Sequence, residues 1–94
     1  MRLDKQEKYA LEKALKDITD EVYLYGSRID DNKKGGDIDI LIFSKKNPLK
    51  ISQHVLINFF LECEEKIDVT IINPEKITKE QQAFLNLITK KRIK

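Results

Sequence analysis

Ninety-four residues can bury one modest hydrophobic core and leave no room for a second, which sets the expectation of a single domain over residues 1–94. The 18 Lys and Arg and 16 Asp and Glu side chains are scattered along the chain for a formal net charge of +2, which argues against the broad cationic face that neutralises many nucleic-acid phosphates. One cysteine, Cys63, cannot form an internal disulfide, and no stretch has the apolar length of a signal or a membrane span, so a reducing, cytoplasmic setting is expected.

Asp4, with Glu7 three residues on, makes a potential capping pair. Leu3, Leu11, Ala14, Leu15 and Ile18 then recur at helical spacing, predicting a helix over 4–17. Val22 to Tyr25 is β-favouring and stops at Gly26, after which Ser27 is placed to cap a short helical turn through Asp30. Asn32-Lys33-Lys34-Gly35-Gly36 is turn chemistry, its two lysines reading as a solvated loop, and it feeds a strand over 37–43. A loop over 45–48 leads to a helix over 49–63, with Ile51, Val55, Leu56, Phe59, Phe60 and Cys63 on one broad face. Lys66 to Ile72 returns to a strand, which Asn73-Pro74 breaks. Thr78 with Gln81 suits a capping box, and Phe84, Leu85, Leu87 and Ile88 carry a final helix into a basic tail. Lys90, Lys91, Arg92 and Lys94 suit the negative end of that helix. The order α-β-α-β-α-β-α predicts an α/β (α+β) fold, a three-stranded sheet with helices against it.

Asp37-Ile38-Asp39 stands at the head of the apolar run Ile40-Leu41-Ile42-Phe43. Alternate residues of a strand share a face, so both carboxylates point one way while Ile38 points into the core. Crowded acids repel, and a divalent cation between them relieves the repulsion. Asp68 is a further acid inside an apolar strand, where a charge needs a partner: Lys66, or the pair Asp37 and Asp39 if the third strand lies beside the second. Three carboxylates can hold two Mg²⁺ ions in the arrangement used for phosphoryl or nucleotidyl transfer. Gly26 lets backbone approach a phosphate, Ser27 offers a hydroxyl, and free N–H groups at the following helix start suit an anion.

Tyr25-Gly26-Ser27-Arg28, then Gly35-Gly36-Asp37-Ile38-Asp39-Ile40, then Lys66-Ile67-Asp68-Val69 resemble the minimal nucleotidyltransferases of the DNA polymerase β superfamily, across essentially the whole chain. The resemblance implies a mixed sheet flanked by helices, Mg²⁺, and ATP as an AMP donor. It assigns Gly26, Ser27 and Arg28 to the nucleotide, and Asp37, Asp39 and Asp68 to the metal and to catalysis. For Arg28 a surface position near a helix start is the competing reading. The resemblance also implies a HEPN-domain partner protein, a toxin neutralised either by adenylylation of a hydroxyl or by occlusion. Where many relatives continue with a small residue, another Arg and a Gly, this chain has Ile29-Asp30-Asp31, and Gly35-Gly36 stands where a serine often precedes the acids.

Tyr23 and Tyr25 read as strand packing and Cys63 as a small buried hydrophobe. His54, Ile57 and Leu61 form a second, narrower stripe on their helix, which either the terminal helix covers or another subunit meets in a homo- or hetero-oligomer.

Overall fold

The computed structural model describes residues 1–32 and 35–94, so the reading of Lys33 and Lys34 lies outside the described residues. Helix α1 (Lys5–Leu15) starts on the capping box expected of it: Asp4 Oδ1 accepts the Glu7 N–H and Glu7 Oε1 accepts the Asp4 N–H. Ala10, Leu11, Ala14 and Leu15 form its buried stripe, extended by Ile18 beyond its end. β1 (Glu21–Tyr25) leads into one 3₁₀ turn over Gly26–Ile29, and β2 (Ile38–Phe43) returns antiparallel to β1, with Tyr25 opposite Asp39 and Glu21 opposite Phe43. Asn47 then caps α2 (Pro48–Phe60) by accepting the Leu49 and Lys50 N–H groups, and Pro48 fills the first turn. α2 carries the chain back across the sheet, and β3 (Ile67–Ile72) lies parallel to β2.

The two faces of the sheet differ. Val22, Leu24, Ile38, Ile40 and Ile42 face α1 and α2 and are fully buried with Ala10, Val55 and Phe59. Tyr23, Tyr25, Asp39, Leu41 and Phe43 alternate onto the other face. There α3 (Lys79–Leu87), opened by the Thr78–Gln81 capping box, sets Phe84 edge-on against Tyr25 with ring centroids 5.3 Å apart. α3 buries none of its residues, so it overlies this face without sealing it.

The sheet has four strands in the order β3-β2-β1-β4, which corrects the expected three. β4 (Lys90–Arg92) is the segment read as a helix-end tail, and it pairs antiparallel with β1. Its three residues are all basic and exposed, so they show none of the apolar alternation that marks a strand. The unpaired edge of β1 recruits them through backbone pairing, to which an Arg92–Glu21 ion pair at 3.0 Å and Lys90 over the Tyr23 ring add side-chain contacts. Lys94 reinforces the pairing: its carbonyl accepts the Val22 N–H, and its Nζ donates to the Leu15 and Lys16 carbonyls at the end of α1. α2 also ends three residues early, at Phe60. Among the described residues no helix is long and apolar enough to cross a membrane.

Candidate active site

Parallel pairing of β2 and β3 sets Asp39 beside Asp68 in register, so the two carboxylates are lateral neighbours on one face. Burial, then the charges of Asp68 and Asp37, holds the Asp39 carboxyl above its ordinary value of 3.8. Asp37 and Asp68 therefore both act on Asp39, at the end of the sheet where β1 ends and β2 and β3 begin.

The Gly-Ser turn touches this cluster directly. Gly26 has φ +80°, and a Cβ added there would strike Oδ2 of Asp39. Gly36 has φ +89°, and a Cβ there would strike Oγ of Ser27. Absent side chains thus let the Gly26-Ser27 backbone, the Ser27 hydroxyl and the lead-in to Asp37 share one surface. The turn is closed by its backbone, with Asp30 N–H donating to the Ser27 carbonyl, so the Ser27 hydroxyl is not used as the cap expected of it.

Arg28 does not face that surface. Its Nη1 and Nη2 donate to Glu7 Oε1 and Oε2 at 2.8 Å each, its Nε to the Gly36 carbonyl at 3.0 Å, and its Nη1 to the Arg2 carbonyl at 3.0 Å. The guanidinium and the Glu7 carboxylate are only 8% and 5% exposed. The expected triphosphate contact is therefore corrected to an internal one: a bidentate pair satisfies a charge that the fold has removed from water. Burial alone would raise Glu7, but the hydrogen bonds from Arg28 and the Asp4 N–H, with the Arg28 charge, bring its carboxyl below the ordinary 4.5.

Two supports were not legible in the sequence. Arg2 donates from Nε to the Asp30 carbonyl and from Nη2 to the Ser27 and Gly35 carbonyls, tying the N-terminal segment to both glycine turns. Only tertiary contact marks it. Tyr25, read as strand packing, reaches over β2 so that its hydroxyl pairs with Thr70 Oγ1 at 3.3 Å. Burial, partly offset by that hydrogen bond, and the charges of Asp39 and Asp68 raise its phenol above 10.0.

Among the described residues no three His, Cys, Asp or Glu side chains converge closely enough to ligate one ion. Lys66, considered above as a partner for Asp68, instead sets its Nζ 3.5 Å from Asp37 Oδ2 and pairs with that carboxylate. Asp39 and Asp68 form no ion pair among the described residues, and their adjacent hard oxygens are a donor set suited to Mg²⁺. Asp39 and Asp68 are the pair that would hold it, with Asp37 nearby but engaged by Lys66.

A mixed sheet flanked by helices, with a Gly-Ser turn abutting an Asp-x-Asp strand and a third aspartate on its parallel neighbour, defines the nucleotidyltransferase class of fold. The family described as Polymerase beta, Nucleotidyltransferase matches residues 5–92, and the chain belongs to that family. No curated protein matches it.

Proposed function

We propose that the chain is a Mg²⁺-dependent nucleotidyltransferase that moves AMP from ATP to a hydroxyl of a partner protein, and that it serves as the antitoxin of a HEPN-domain toxin in the cytoplasm. The register match of Asp39 with Asp68 against the Gly26 backbone carries this reading. Asp39 and Asp68, with Asp37 nearby, would hold the ions, which when bound would activate the attacking hydroxyl and neutralise the leaving pyrophosphate. Gly26 and Ser27 offer backbone and hydroxyl to the triphosphate, while Arg28, Glu7 and Arg2 hold the turns that carry those groups. Templated polymerisation needs surfaces to grip primer and template, and the +2 net charge supplies no broad basic face for them. The acceptor therefore brings its own binding surface.

Occlusion without transfer is the second reading. It is favoured by the Lys66–Asp37 ion pair, which engages one of the three carboxylates, and by the inward Arg28, whose guanidinium is held by Glu7 rather than offered to a phosphate. Incubation with labelled ATP, Mg²⁺ and a HEPN-domain protein separates the two. Asp39→Asn should reduce label transfer more than about 100-fold, the scale lost when a group stabilising transition-state charge is removed. No transfer by the wild type, with the toxin still silenced by wild type and variant alike, would establish occlusion instead.

A further inference from the structure

The solvent side of α2 and its C-cap carries four large apolar side chains. Leu49 is 63% exposed, Ile57 60%, Phe60 48% and Leu61 75%. At about 100° per residue, these four, with Gln53 and Lys50 among them, fall within roughly one third of the helix circumference, opposite the arc of Ile51, Val55 and Phe59 that faces the core. α3 lies on the other side of the sheet against Tyr25, so the stripe is not what the terminal helix covers. Four large apolar side chains in one row on a helix mark a contact surface rather than scattered exposure.

Charge along the same helix indicates what meets it. Its start carries Lys45, Lys46 and Lys50. Its far end runs into Glu64 and Glu65, where the one base of the turn, Lys66, is drawn to Asp37. A helix with an apolar stripe, a basic start and an acidic end is complementary to itself when turned end for end. We infer that α2 packs antiparallel against α2 of a second copy of this chain, forming a two-fold dimer. In that register Leu49 lies opposite Leu61, Gln53 opposite Ile57, and Lys50 opposite Phe60. The Lys45-Lys46 turn meets Glu64-Glu65, and the two-fold axis repeats each contact. Parallel packing would set base against base and acid against acid. The ties that Lys45 and Lys46 make within the chain, to Glu75 at 3.2 Å and Asp20 at 3.4 Å, join exposed lysines and exchange readily. One helix per subunit is a small interface, so the dimer is weak and concentration-dependent. The sheet edge carrying Asp39 and Asp68 is not part of this face, and the inference does not depend on the chemistry proposed there.

Sedimentation velocity on the full chain from about 1 μM to about 1 mM should show a reversible monomer–dimer equilibrium. Ile57→Glu and Leu61→Glu, both exposed positions, should each raise its dissociation constant at least about tenfold with unchanged circular dichroism. Added NaCl should weaken it severalfold by screening the end-to-end charges. In a Cys63→Ser background, a mixture of Leu49→Cys and Leu61→Cys chains should cross-link under mild oxidation, while neither variant cross-links alone. A monomer across the whole range overturns the inference. So does a dimer indifferent to both glutamates, or cross-linking of Leu49→Cys with itself.

Discussion

Glu7 serves two structures with one carboxylate. Its Oε1 closes the cap of α1 and also receives Arg28, and Arg28 in turn holds the Gly36 carbonyl next to Asp37. A helix cap is thereby wired to the turn that presents the acids. Glu7→Gln would leave the Arg28 charge buried beside a neutral amide, a loss of about 3 kcal/mol at neutral pH on the scale of broken buried pairs. Because Glu7 is depressed below 4.5 in the folded state, its contribution is present above 4.5 and disappears as pH falls through the lower folded value. Denaturant unfolding should therefore show a wide gap between wild type and Glu7→Gln at pH 7 that narrows well below 4.5. At Gly26 the constraint is steric. Gly26→Ala meets both a left-handed backbone and the Asp39 carboxylate, and should cost at least about 1–2 kcal/mol in thermal or chemical unfolding.

Elements divide by how they are held. α1 and α2 pack on a fully apolar sheet face, whereas α3 buries no residue and meets the sheet through Phe84 on Tyr25. β4 adds no apolar side chain between Lys90 and Arg92, yet it covers the edge of β1 with backbone hydrogen bonds. Removing residues 90–94 should therefore lower stability by about 2–4 kcal/mol, from the ladder bonds and the Lys94 contacts to α1. It should also expose β1 as a pairing edge, visible as concentration-dependent light scattering. A loss of stability without association would show that β4 clamps the sheet but does not guard it. α1, β1, β2, α2 and β3 were legible as elements because each carries a cap, a breaker or a periodic apolar face. β4 was not, because an exposed edge strand of basic residues carries no apolar alternation to mark it.

At the scale of the molecule, the fold collects negative charge that it does not fully neutralise. Asp39 is raised by burial and by two neighbouring carboxylates, an unfavourable arrangement that a bound divalent cation would relieve. Mg²⁺ should therefore raise the melting temperature of the wild type by mass action, and Asp39→Asn should blunt that response while melting higher than wild type in EDTA. Equal Mg²⁺ responses in the two proteins would remove Asp39 from the metal site.

Local patterning in the chain was enough to determine where acids, glycines and apolar faces fall, since caps, turns and strand alternation act over a few residues. Asp37, Asp39, Asp68, Gly26 and Ser27 could be singled out that way, with family resemblance supplying their chemistry. Parallel pairing of β2 with β3 decided that Asp68 stands beside Asp39, and the approach of the α1 start to the 3₁₀ turn, through Glu7 and the Arg2 N–H, decided that Arg28 faces Glu7 rather than a phosphate. Lys66 chose Asp37, and Lys90–Arg92 became a strand, for the same reason. A charge finds its partner, and an open edge its cover, among groups far apart in the chain, and only the folded backbone sets those distances.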